Sequence, residues 1–253
     1  MKKMRMLIAN DDGIDSPFLP GFARAMSQIA DIEIVVPAYE QSWIGRAYSR
    51  HSELVVKERD FMGHKCCAVT GTPSDCVNLA LAHLCEETPD VVVSGLNIGQ
   101  NVAMPLLWSS GTFSAAVEAA GWGIPAFAFS MRLEKKYYEA CRLRHEMPDE
   151  ELERRVREAS EKSAEYVMEV MGSHKFADGE VRNVNFPALY AKDTPFEKCV
   201  PARVKLASLY VKNQAGNYDF SYAMGEASPS NEPTDLELLN AGMACHCKID
   251  IKF

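Results

Sequence analysis

From Met4 to Ser130 the chain alternates short apolar runs with stretches whose apolar residues recur every three or four positions. Met4–Ala9, Ile32–Val36 and Asp90–Gly95 are apolar almost throughout, the pattern of central parallel strands covered on both faces. Leu54–Lys57 and Cys66–Val69 are weaker strand signals, and Ala126–Ser130 closes the series. Between them, Pro17–Ile29 reads as a helix with Ser16 as N-cap and Pro17 in its first turn. Ser74–Cys85 places Val77, Ala80, Leu81 and Leu84 on one helical face, and Thr112–Ala120 is a small-residue helix. Strand and helix in alternation predict a doubly wound α/β domain.

Past Met131 the pattern changes. Arg132–Val170 is charge-rich with helical periodicity, clearest over Glu151–Met171. Val181–Phe186 and Val204–Tyr210 read as strands, and Asn213–Pro233, rich in Gly, Asn, Ser and Pro, reads as a long loop or excursion. No repeat or linker divides the chain. Residues 1–253 are expected to form one domain, with the site on a 1–130 core and 131–253 as a helical and β extension used in oligomer contacts.

Composition narrows the partners. The 253 residues carry a net charge of −8 with no lysine/arginine stripe, so polymeric nucleic acid is a poor partner. No apolar stretch reaches membrane-spanning length, and the N-terminal apolar run stops at Asn10 without a small-residue cleavage site. The eight cysteines include no Cys-x-x-Cys pair, which fits free thiols and a cytoplasmic location. Cys245-His246-Cys247 is too compact for a zinc site.

In open parallel sheets ligands bind beyond the carboxyl ends of the strands. Three polar clusters fall there: Asn10-Asp11-Asp12-Gly13, Glu40-Gln41-Ser42, and Asn97 to Asn101 leading to Ser109–Thr112. Alone, the aspartates fit a solvated turn and Ser110 an ordinary N-cap. Together they read as an oxygen-rich cation site, with Ser42 and Asn97 able to complete it, beside an anion cradle at a helix start. A unit negative charge about 5 Å from a carboxylate is repelled by ~3 kcal/mol at an effective dielectric near 20. An acidic pair and a phosphate cradle are therefore compatible only with a cation between them, and metal-assisted hydrolysis is the natural chemistry. The aspartates could serve as ligands alone, or one as general base or nucleophile.

The same motifs resemble the SurE family of metal-dependent nucleotidases, the stationary-phase survival proteins. The matching pieces are Asn10–Gly13, Val36-Pro37 with Gln41-Ser42, Gly71–Val77, Ser94–Asn101 and Ser110-Gly111-Thr112, with Asn183–Pro187 and Thr234-Asp235 as later landmarks. The resemblance implies a Rossmann-like core and hydrolysis of nucleoside 5′- or 3′-monophosphates, with short polyphosphate as a further substrate of some relatives. It implies Asp11, Asp12, Ser42 and Asn97 as ligands of one Mg²⁺ or Mn²⁺, and Asn101, Ser110, Gly111 and Thr112 around the phosphate. It also implies a homodimer or homotetramer. Two departures lie near the expected pocket: Trp43 stands where the family usually has glycine, and apolar Val102–Ser109 replaces a stretch containing Gly and Asp.

The principal alternative is a phosphate- or nucleotide-binding regulatory module without turnover. A receiver-like domain would need a Lys that Phe127–Met131 does not offer. A dinucleotide oxidoreductase would need a glycine-rich first turn. A haloacid-dehalogenase-type phosphatase would need a second Asp two residues after the nucleophile, where Asp12 is followed by Gly13-Ile14.

Overall fold

The computed structural model describes residues 3–222 and 225–252. Residues 1 and 2 of the N-terminal run, 223 and 224 of the Asn213–Pro233 excursion, and 253 lie outside the described residues. The expected α/β alternation is present: β1 (Met4–Ala9), α1 (Leu19–Ser27), β2 (Ala30–Pro37), β3 (Val56–Phe61), β4 (His64–Val69), α2 (Pro73–Leu79), β5 (Val91–Ile98), α3 (Met104–Leu107), α4 (Gly111–Gly121) and β6 (Ala126–Met131). There follow α5 (Glu150–Ser173), β7 (Glu180–Phe186), β8 (Phe196–Lys198), β9 (Val204–Lys205), β10 (Tyr210–Lys212), β11 (Tyr218–Phe220), β12 (Glu226–Ala227), α6 (Asp235–Asn240) and β13 (Ala244–Asp250).

Nine strands form one sheet in the order β3-β4-β2-β1-β5-β6-β7-β13-β8. From β4 to β7 all neighbours are parallel, while β3 and β13 run antiparallel to β4 and β7. Residues along β1 alternate between two cores: Met6 and Ile8 pack with Phe18, Phe22, Met26, Leu152 and Val167 of the α1/α5 side. Leu7 and Ala9 pack with Val77, Phe113, Ala116 and Val117 of the α2/α4 side. This two-sided burial is why the central strands read as unbroken apolar runs. The chain steps from β1 to β2 on one side and returns to β5 on the other, so the crevice beyond β1 and β5 is the topological switch point.

Several expectations are corrected. The first helix begins at Leu19 with Phe18 at its cap; Ser16 instead accepts a 3.4 Å bond from the Phe18 amide in the preceding turn, because Pro17 and Pro20 cannot donate to a longer helix. The Ser74–Cys85 helix divides into α2 and a wider π-type turn at Ala80–Leu84. Val204–Tyr210 is two separate strands, β9 and β10, paired with β12 and β11 inside the excursion. The C-terminal run, which carried no strand reading, is β13. Its Cys245, Cys247 and Ile249 face the core, and the strand seals the sheet beside β7. All eight cysteines are free thiols.

Candidate metal and phosphate site

The first strand ends where buried backbone gives way to polar side chains. Asn10 closes the turn, its side chain accepting from the Gly13 amide at 3.1 Å and donating to the Gly13 carbonyl at 3.0 Å. The turn holds Asp11 and Asp12 at the mouth of the crevice, each only 4% exposed. The Thr112 hydroxyl donates to Asp11 Oδ1 at 2.6 Å, and the Ile98 amide to Asp12 Oδ2 at 2.7 Å. At Gly111 a Cβ would lie 2.7 Å from the Asp11 Cβ, so glycine is needed for α4 to approach this closely. The β5–β6 register shifts between Ser94 and Asn97, and Asn97 reaches the same crevice at 6% exposure. Ser42 arrives on the β2 loop, which is tied down where the Gln41 amide donates to the Asp11 carbonyl at 2.8 Å.

Asp11, Ser42, Asn97, Asn101 and Ser110 line one cavity of about 350 Å³. Thr112 is fully buried behind Asp11, so its hydroxyl orients that carboxylate and does not face the cavity. Ser110 caps α4, accepting from the Phe113 amide at 3.0 Å. Asn101 is held by residues that sequence reasoning matched only as landmarks: its amide donates to Asn185 Oδ1 at 2.8 Å, and its carbonyl accepts from the side chains of Asn183 and Asn185 at 2.8 and 2.9 Å.

A further residue enters from far along the chain. Arg142, on a π-type turn at Glu139–Leu143, donates to Asp12 Oδ1 at 3.2 Å, the Ile98 carbonyl at 2.8 Å and Glu40 at 2.5 Å, and also to the Ser42 hydroxyl. Burial alone would weaken its charged form, but Asp12, Glu40 and Asp11 outweigh that, so the guanidinium stays charged. Burial raises the carboxyl pKa of Asp11, only partly offset by the Thr112 hydrogen bond and Arg142. Burial and then the charge of Asp11 raise that of Asp12, with Arg142 pulling back. No local motif marks Arg142 in its charge-rich stretch, which carries only helical periodicity.

Two carboxylates, a hydroxyl and an amide fit a hard divalent cation, and Arg142 already supplies positive charge there. Among the described residues no three His, Cys, Asp or Glu side chains cluster as a metal cage. A bound ion would therefore rest on the two aspartates and neutral oxygens.

The chain matches the family described as survival protein SurE over residues 6–209. It is 43% identical over 130 residues to a 5′-nucleotidase SurE of Methanopyrus kandleri, a match covering 51% of this chain and 49% of that protein, so the chain spans about half the length of that relative. With a 5′-nucleotidase SurE of Maridesulfovibrio salexigens it shares 34% identity over 244 residues, 94% of this chain and 90% of the relative. The crystal structure of the SurE protein from Aquifex aeolicus superposes with a TM-score of 0.72 at 22% identity, covering 98% of this chain and 94% of that one, a likeness of fold. By sequence across most of its length and by fold, this chain belongs to the SurE family.

Proposed function

We propose that the chain is a divalent-metal-dependent phosphomonoesterase that hydrolyses nucleoside 5′-monophosphates, with 3′-monophosphates and short polyphosphate as further substrates. The observation that carries this reading is the convergence of Asp11, Ser42, Asn97 and Ser110, the cap of α4, on one cavity at the sheet's switch point, with the buried Asp12 next to Asp11 and bonded to Arg142, which lines the same cavity. The names of the relatives point the same way. Asp11, Asp12, Ser42 and Asn97 would hold Mg²⁺ or Mn²⁺, which when bound supplies Lewis-acid charge beside the phosphoryl group. Thr112 and the Ile98 amide fix the two carboxylates in place. Asn101, Ser110 and the first backbone N–H groups of α4 receive the phosphoryl oxygens, and a water attacks phosphorus. Asp12→Asn is expected to lower metal-stimulated phosphate release from nucleoside monophosphates by roughly 10²–10⁴-fold while leaving the far-UV circular dichroism unchanged. A chelator is expected to stop turnover and added Mn²⁺ to restore it. Near-normal release by the variant would remove Asp12 from the reaction.

Arg142 favours a second reading. An arginine paired with Asp12 partly offsets the acid pair, and its positive charge can receive a nucleotide phosphate without a metal, as in a regulatory module. Phosphate release separates the two: binding without release over hours, with metal present, supports the module.

A further inference from the structure

Next to Ser42 the backbone turns through Trp43 at φ +62°, the left-handed region where a bulky side chain is an outlier and glycine is at ease. The turn is fixed from both sides. The Gln41 amide is bonded to Asp11, and the Gly45 amide donates to the Ser109 carbonyl at 3.0 Å. A tryptophan in this strained position calls for a compensating use of the ring.

The ring lines the cavity that holds Asp11. Phe220, at the end of β11, meets it edge-on at a centroid distance of 5.0 Å, and Tyr222 lies at 5.4 Å. Trp43, Phe220 and Tyr222 line the same cavity as Asp11, Ser42 and Asn97, together with Tyr138. Trp43 and Phe220 remain 42% and 48% exposed. The cavity therefore joins polar and acidic groups to partly exposed aromatic rings.

Resting on the nucleotidase reading above, we propose that Trp43 and Phe220, which meet edge-to-face, form an aromatic corner on which the nucleobase stacks, making this chain selective for nucleoside monophosphates over phosphate esters without an aromatic base. Aromatic rings stack on bases of any sequence and gain little from an aliphatic sugar. A substrate phosphate held beside Asp11, Ser42 and Asn97 leaves the rest of the nucleotide within the cavity these rings also line. A purine, with the larger π-face, benefits most.

The test compares AMP with ribose 5-phosphate, which share the phosphate and sugar, in the full chain and in Trp43→Gly and Phe220→Ala. Glycine suits the backbone at this position, so Trp43→Gly is expected to melt no lower than the unsubstituted protein. The ratio of kcat/KM for AMP to that for ribose 5-phosphate is expected to fall about tenfold in Trp43→Gly, and in the same direction in Phe220→Ala. A change of less than threefold in Trp43→Gly overturns the stacking proposal. Adenosine titrated into the protein supplies a readout free of turnover: it should quench tryptophan emission, and the quench should vanish in Trp43→Gly although Trp108 and Trp122 remain. Should no monoester be hydrolysed, the nucleotidase reading fails and this quench alone decides whether a base stacks here; an equal quench in Trp43→Gly overturns it.

Discussion

At the scale of single residues, Arg142 and a divalent cation compete for the same oxygens. The guanidinium lies on Asp12 and Ser42, both of them proposed ligands, and is 15% exposed against 3% for the Asp12 side chain. Removing it leaves Asp12 buried beside Asp11 without its counter-charge, the situation in which buried carboxylates cost most. Arg142→Gln is therefore expected to melt at a lower temperature without metal. By titration calorimetry it should bind Mn²⁺ about tenfold more tightly, equivalent to about 1.4 kcal/mol. Affinity equal to or weaker than that of the unsubstituted protein would show that Arg142 does not occupy the cation's place. Asp11 and Asp12 were legible in the sequence because a short, buried strand delivers them, and a strand end is a local feature. Arg142 was not, since it reaches Asp12 across 130 positions and nothing beside it in the chain marks that contact. Thr112 was expected around the phosphate, but its hydroxyl is turned to Asp11 instead, a contact that depends on how closely α4 approaches β1 at Gly111.

Elements carry the next level of control. The loop bearing Ser42 and Trp43 has no regular structure of its own and borrows its position from α4. Glu118 on that helix accepts from Arg46 at 2.7 and 3.0 Å, from Asn78 at 2.9 Å, from Trp122 at 3.1 Å and from the Tyr48 hydroxyl. Burial alone would raise its pKa, but the hydrogen bonds from Asn78, Tyr48, Arg46 and Trp122 outweigh burial and hold it below the usual carboxylate range. Glu118→Ala is expected to cost roughly 2–4 kcal/mol in urea unfolding, since it strips a buried acceptor from a charged partner. A cost under 0.5 kcal/mol would mean that the loop is held by other contacts. Strand β13 shows the opposite failure of legibility. Its alternation of Cys245, Cys247 and Ile249 with polar residues is a clean strand pattern, yet short and cysteine-rich, and only pairing with β7 reveals it. His246 on that strand stacks on Phe196 and bonds the Tyr166 hydroxyl at 3.0 Å. Burial and then Arg182, Lys198 and Lys162 depress it to about 4. The neutral form thus stabilises the fold fully above the unfolded value near 6.5. That contribution, at most on the order of 3 kcal/mol, is lost as pH falls from there toward 4. His246→Gln is expected to flatten the fall in melting temperature between pH 7 and pH 5.

For the whole molecule, the question is whether the portion after Met131 is an appendage or part of the scaffold that holds the site. Its strands β7, β13 and β8 continue the central sheet without a break. Its Asp235, fully buried, accepts from the amides of Ala202 at 2.8 Å, Leu236 at 2.7 Å and Ala103 at 3.0 Å. Ala103 caps α3 in the apolar segment between Asn101 and Ser110 and sits at φ +66°, so this one carboxylate pins a strained turn of the site from 132 positions away. Burial raises the Asp235 pKa, and the three amides lower it only in part. The motif Thr234-Asp235 was visible in the sequence, but its partner was not, because a turn clamp of this kind leaves no periodic trace. All three tryptophans, Trp43, Trp108 and Trp122, lie before Met131. Tryptophan emission therefore reports only the site-bearing part, whereas far-UV circular dichroism reports both. If the sheet unfolds as one cooperative unit, Asp235→Ala must destabilise the tryptophans as much as the backbone it belongs to. Leaving three buried amides without an acceptor costs roughly 2–4 kcal/mol, which for a chain of this size lowers Tm by on the order of 5–15 °C. The fluorescence and circular dichroism midpoints should fall together by that amount; a circular dichroism step that moves while the tryptophan midpoint stays would make the C-terminal half a separately folding piece.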